Sequence, residues 1–284
     1  MRRLFLASLA LFAATPLAAQ LPDGDVHWSR RAEGNSGGRA AAGPIDSAIA
    51  AYERAVTRQP DAIEPRWKLL RALRFKGAYV ARSNEEKKEV YSRARTAGEE
   101  ALQVVYRHIE GRGLPSPQKA PEQKVAAVVR QVPGAAQFFV WDAVNWGEWA
   151  LASGKIAAAR QGAADRIRRH ATIAHLADPA VEGGTPSRVL GRLHAETPRI
   201  PFITGWASGR EAVKFLEQSL KIDPDNKITI VFLAEALVSE RTDARPRAIQ
   251  MLRKAVAAPG DPDYRVEQAA AAEDARALLT KWGA

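Results

Sequence analysis

The chain of 284 residues has no cysteine. That excludes disulfides, thiolate catalysis and cysteine-ligated zinc. It also excludes a lipid anchor built on a cysteine at an export cleavage point. Runs of β-branched residues are scarce, whereas the strong helix formers Ala, Leu, Arg and Glu are abundant, which predicts an all-α fold. After the N-terminus no stretch reaches about 18 uncharged apolar residues, so no membrane span is expected in the mature chain.

Catalytic patterns are missing too. The histidines are His27, His108, His170, His175 and His194, and none forms the H-E-x-x-H spacing that puts two zinc ligands on one helical face. There is no G-x-S-x-G nucleophile elbow. The paired carboxylates Glu85-Glu86 and Glu99-Glu100 are adjacent, so on a helix they point apart. Gly34-Asn35-Ser36-Gly37-Gly38 has no following Gly-Lys-Ser/Thr and no preceding strand, so it does not read as a phosphate loop. These absences predict a protein that is not an enzyme and has no cofactor or metal site.

What is present begins with an export leader. Arg2 and Arg3 precede an apolar run from Leu4 to Phe12, then small residues around Ala18-Ala19, so residues 1–19 read as a signal peptide cleaved before Gln20. A periplasmic or secreted location follows. The formal charge of +10 falls to +8 once Arg2 and Arg3 leave, still basic enough to favour acidic or anionic partners. Nucleic acid is not expected as a partner, because no nucleic-acid module appears. Residues 20–44, rich in Gly and Ala without apolar periodicity, predict a flexible linker with Val26 and Trp28 as its only anchors.

From residue 45 to 284 one spacing recurs. Ala212, Leu216 and Ser219 lie four and seven residues apart, and Pro224 follows twelve after Ala212. A small, a large and a small residue followed by proline is the spacing of the second helix of a tetratricopeptide repeat, where small positions admit a neighbouring helix. The offsets return at Ala48, Tyr52, Ala55 and Pro60, and at Ile167, Ala171, Ala174 and Pro179. Ala248, Leu252 and Ala255 repeat them with Pro259 one residue early. Ala94, Gly98 and Ala101 repeat them with glycine at the large position. The expected architecture is therefore a solenoid or bundle of helical hairpins, with a C-terminal capping helix from about Tyr264 to Trp282. Asp46 is the expected cap of the first helix, and Ser83 with Glu86 forms a capping box. A loop with one short helix, at about 108–133, interrupts the array.

Two stretches could bind. In Phe138 to Leu151, Trp141, Asn145 and Trp149 follow Phe138 at helical spacing, on one predicted face, with Phe139 and Trp146 on a flanking face. Two arrangements fit: a groove for an apolar ligand or partner helix with Asn145 setting orientation, or an interhelical core. The following helix, about Ile156 to Leu176, carries Arg160, Arg166, Arg168, Arg169 and His170 on its predicted outer side, either solvated or facing an acidic partner. The loop from Arg199 to Gly209 is apolar, restrained by Pro201, and contains Phe202 and Trp206. It reads as either an exposed binding element centred on Arg199, Phe202 and Trp206 or a wedge between repeats.

Trp141 to Ala150 (WDAVNWGEWA) and Val189 to Asn226 (VLGRLHAETPRIPFITGWASGREAVKFLEQSLKIDPDN) resemble the tetratricopeptide-like T-component family associated with TRAP transporters. The order is a helix with a central glycine, a proline-bearing loop, a glycine-rich approach and a helix ending in D-P-x-N. The same order occurs in regulator-of-microtubule-dynamics tetratricopeptide proteins, a setting that the export leader argues against. The T-component resemblance implies a helical bundle that self-assembles around a pore and pairs with a periplasmic solute-binding protein. Members often carry a lipid anchor, and without cysteine this chain departs from them there. The functional expectation is an exported binding protein acting beside such a partner. The alternatives are a tetratricopeptide scaffold in envelope assembly and a hydrolase whose site lacks a known motif.

Overall fold

Small residues at four- and seven-residue offsets let helices approach closely, and this chain uses them to stack hairpins. The computed structural model describes residues 21–202 and 204–284, so the expected leader lies outside the described residues. These residues form thirteen α-helices and no strand. The helices are α1 (Leu21–Ser29), α2 (Ala42–Arg58), α3 (Glu64–Phe75), α4 (Asn84–Glu110), α5 (Glu122–Val129), α6 (Ala135–Ser153), α7 (Lys155–Arg160), α8 (Ala163–Ala177), α9 (Val181–Glu196), α10 (Gly209–Ile222), α11 (Lys227–Glu240), α12 (Arg245–Ala257) and α13 (Arg265–Lys281). No helix of the described residues is long and apolar enough to cross a membrane. The fold is all-α.

The repeat positions are buried in all five helices that carry them, α2, α4, α8, α10 and α12. Gly98 departs from the pattern because Asp142 of α6 fills its space: a Cβ there would lie 2.3 Å from Asp142 Oδ1. The converse holds between α9 and α10, where Leu216 presses on Gly191 so closely that a Cβ would lie 2.5 Å from Leu216 Cγ. Glycine is placed where a neighbouring side chain needs the room.

α3, α6, α9, α11 and α13 each pack against the next member of that series. The second helices α2, α4, α8, α10 and α12 pack against members of this series but make no comparable contact with one another. Helices in mutual contact lie at the smaller radius, so the first series is an inner row and the second an outer row.

The inner row is closed by the stretch expected to be a linker. Residues 21–44 carry α1, which packs on α2, followed by a strap of turns that reaches α13. Arg31 of the strap is buried and pairs with Glu267 at 2.9 Å. The Gly38 N–H donates to Glu273 at 2.8 Å, and a Cβ on Gly38 would sit 2.5 Å from Ala270 Cα. Trp28 packs edge-on against Phe75 at 5.7 Å, whereas Val26, the other expected anchor, is exposed. The local composition lacks periodicity because these residues pack on distant helices rather than along one face of their own.

Other boundaries shift for local reasons. α2 begins at Ala42, so Asp46 lies inside the helix and pairs with Lys76 at 2.7 Å instead of capping. The helix expected from Ile156 divides at Gly162, whose φ of +63° breaks it into α7 and α8. The insertion packs α5 against α8, and Arg169 holds its loop through the Pro117 and Ala120 carbonyls, both at 2.9 Å. It lies on the outer row. The Ser83–Glu86 capping box forms as expected.

Candidate functional site

Residues three and four apart on a helix share a face, and on α3 that spacing aligns Trp67, Arg71 and Arg74. Each keeps part of its surface accessible. Trp28 of α1, Trp141 and Glu148 of α6, Glu182 and Arg188 of α9, and Tyr264 approach from the other sides. Electrostatic coupling ties these elements together: Glu182 senses Arg71 and Arg188, Arg188 senses Arg74, and Tyr264 senses Glu182 and Arg71. The result is a cluster of charged groups and indoles on the inner row.

Its three arginines are satisfied to different degrees. Arg74 donates to Glu148 Oε1 at 3.0 and 3.1 Å and to the Tyr79 hydroxyl at 2.7 Å. Burial would lower the Arg74 pKa, but Tyr79 and Glu148 outweigh it and raise it. Arg188 donates to the Thr229 and Thr185 hydroxyls and has no carboxylate within ion-pair distance among the described residues. Burial first, then Arg74, pushes its pKa down to about 10, which leaves it charged at neutral pH.

Arg71 stands apart. Its guanidinium lies 4.1 Å from the Trp28 ring centroid and 4.9 Å from that of Trp67. Its Nε is buried without an acceptor. The nearby Tyr52 hydroxyl donates to Asp25 at 2.8 Å and makes no well-aligned bond to Arg71. Cation–π contact stabilises the charge by about 0.5–2 kcal/mol but does not satisfy its N–H groups.

Glu182 is the cluster's other unusual residue. It opens a left-handed run, with φ of +51°, +62° and +75° at Glu182, Gly183 and Gly184. Such backbone is uncommon for a residue with a Cβ. Burial raises the Glu182 pKa, and Arg71, Trp141 and Arg188 offset only part of the rise. The Trp141 Nε1 has no hydrogen bond of good geometry.

The expected site residues are dispersed. Trp141 borders the cluster. Asn145 is buried and donates to the Leu70 carbonyl at 3.0 Å and the Trp141 carbonyl at 2.8 Å, so it staples α6 to α3 and does not orient a ligand. Trp149 follows Trp141 on the same side of α6 but about 12 Å further along the axis. It is buried with Trp146, Ile167, Leu190 and Leu193 in a separate cluster, because two turns along the axis carry it past the helices that Trp141 meets.

Arg199 lines an open groove of about 600 Å³ with His194, Thr197, Arg210, Glu211 and Glu240. Phe202 is fully exposed at a φ of +64°, and Trp206 is half-buried, edge-on to His194 at 5.3 Å. Arg199 and Phe202 are thus exposed, and Trp206 packs against His194.

The arginine row is mostly engaged rather than free. Arg166 reaches Asp142 and Glu99 at 3.2 and 3.0 Å, and Arg169 reaches Glu122. His170, expected on the outer side, is buried with Nδ1 2.7 Å from Asp142 Oδ2. Burial lowers its pKa more than Asp142 raises it, so the ring stays neutral, while the contacts with His170 and Arg166 overcome burial to hold Asp142 below the usual carboxylate range. Among the described residues no group of three His, Asp or Glu could hold a metal ion.

Arg71, Trp67, Trp28, Glu182 and Arg188 were not singled out as a site by sequence reasoning. The available signal was Trp67 followed by Arg71 at one helical turn, with Glu-Gly-Gly at 182–184 opening an inner helix. Their convergence depends on ring closure between segments far apart in the chain. No protein-family model matches the chain, and no curated protein matches it either.

Proposed function

We propose that this chain is a non-catalytic exported binding protein of the T-component kind, acting beside a solute-binding protein. One observation supports the reading above the others: Arg71, stacked on two indoles, has no carboxylate within ion-pair distance among the described residues, and its buried Nε has no acceptor. A cation kept so costs stability unless something binds it. The resemblance at Trp141–Ala150 and Val189–Asn226 supports the choice of partner.

The test is affinity capture from an envelope extract, with the bound proteins identified by mass spectrometry and the size of the complex measured. A solute-binding protein recovered in stoichiometric amount is the expected result. Recovery of envelope-assembly factors instead would move the protein to the scaffold reading. A monomer that captures neither would overturn both.

A further inference from the structure

We propose that one end of the helical stack docks on an anionic lipid surface, with Leu151, Ile156, Ile200 and Phe202 entering the headgroup layer among the cations Lys155, Arg160, Arg199 and Arg210. This goes beyond the partner reading and does not depend on it. The two connections that carry these residues leave the stack at the same end. Trp146 and Trp149, near the α6 C-terminus, share a cluster with Leu190 and Leu193, near that of α9, and Ala157, Ala158 and Trp206 pack on the same cluster. Arg168 of α8 lies 4.8 Å from the Trp206 ring centroid, which joins the loop after α9 to the hairpin that carries α7.

The apolar side chains have little to cover them. Phe202 is fully exposed, Ile156 is 72% exposed, Leu151 61% and Ile200 46%. Phe202 holds its outward position at a φ of +64°, which is unfavourable for a bulky residue. α7 has no buried residue at all. A lipid interface accepts such side chains while the stems of neighbouring Lys and Arg reach up to the headgroups.

Charge selects an anionic surface. Residues 149–164 and 197–210 together hold those four cations and no carboxylate. All four are exposed, and none is in an ion pair among the described residues. The bordering acids are engaged: Asp165 with Arg168, Glu196 with Arg192, and Glu211 with Lys214. Glu240, beside Gly209 in the groove, is the unpaired exception. The start of α4, held to this end by Asn84 donating to the Ala152 carbonyl, adds as many acids as bases over residues 82–89. Apolar tips among unpaired cations match a bilayer, which sets anionic headgroups over an apolar interior.

The test is co-sedimentation of the leaderless protein with vesicles of phosphatidylcholine alone, or of three parts phosphatidylcholine to one part phosphatidylglycerol. Binding to the mixed vesicles and not to the neutral ones is expected, and it falls as salt rises. Phe202→Ser, which removes no packing contact, weakens it about tenfold, as for a ring partly withdrawn from water. Lys155→Gln with Arg199→Gln weakens it about twenty-fivefold, roughly fivefold per charge. Arg112→Gln with Lys119→Gln removes two exposed cations beyond the far end of α4, 27 residues long, and changes binding little, because that end lies outside a Debye length.

Equal binding to neutral vesicles, equal weakening by the two double variants, or undiminished binding by Phe202→Ser would each overturn the proposal. An absence of vesicle binding overturns it too. If Phe202→Ser then lowers recovery of the solute-binding protein in the capture experiment, the surface belongs to that protein instead.

Discussion

Arg95, from α4, lies 3.8 Å from the ring centroids of both Trp146 and Trp149, and Arg71, from α3, lies 4.1 and 4.9 Å from those of Trp28 and Trp67. The motifs look alike, but their settings differ. The indoles under Arg95 are buried in a cluster with Ile167, Leu190 and Leu193, and the guanidinium also reaches Gln161 at 3.4 Å, with Glu99 one turn along its own helix. There the arginine covers a packed core with its long stem, as amphipathic side chains do. The indoles near Arg71 keep accessible surface, and Glu182 interacts with the arginine only beyond ion-pair distance. An arginine over two tryptophans thus covers a buried core in the first place and partly accessible indoles in the second, and only the surroundings distinguish them.

The largest expected difference lies in stability. Trp149→Ala removes a buried ring and should cost about 3–5 kcal/mol in urea unfolding, whereas Trp67→Ala, at a half-accessible position, should cost clearly less. Equal losses would erase the contrast between the two pairs. Next, Gly98→Ala drives a methyl against the Asp142 carboxylate, which Arg166 and His170 hold, and overpacking of this kind costs about 1–3 kcal/mol. A neutral result by thermal denaturation would mean that Asp142 moves freely and that this side is not a fixed core.

The Asp142–His170 contact adds an acid sensitivity to that side. The folded pKa of His170 lies below its ordinary 6.5, so it contributes stability that is present above that value and lost as pH falls through the window below it. Asp142 is likewise depressed, and its share is lost at lower pH still, below its ordinary 3.8. Tm should therefore drop between about pH 7 and pH 5, and His170→Asn should flatten that drop. His175 and His194 are also pushed down by burial, so some slope should survive in the variant. An unchanged slope would mean that His170 is not the buried neutral group described.

The smallest effects belong to exposed positions. Phe202→Ser should change stability by no more than about 0.5 kcal/mol, because the ring touches nothing that needs it. A loss well above that in the same unfolding assay would reveal a folded-state contact for the Arg199–Trp206 loop.

Much of the fold was legible because helix packing follows local spacing. Ala212, Leu216 and Ser219 are buried where a repeat's second helix requires them, as are the corresponding residues of α2, α8 and α12. The candidate site was much less legible. Trp141, Asn145 and Trp149 lie on one helix yet serve the margin of one core, a staple to α3 and a separate core. Gly98 broke the repeat for a reason visible only in Asp142 of another helix.

The sequence by itself determined the helices and the faces that they bury, because three- and four-residue periodicity acts within a single helical turn. Tertiary structure alone decided that the glycine-rich stretch after α1 becomes a strap, that Arg31 finds Glu267, and that Arg71 stacks on Trp28. The first two outcomes depend on segments more than two hundred residues apart meeting when the inner row closes, and no local pattern encodes such a meeting.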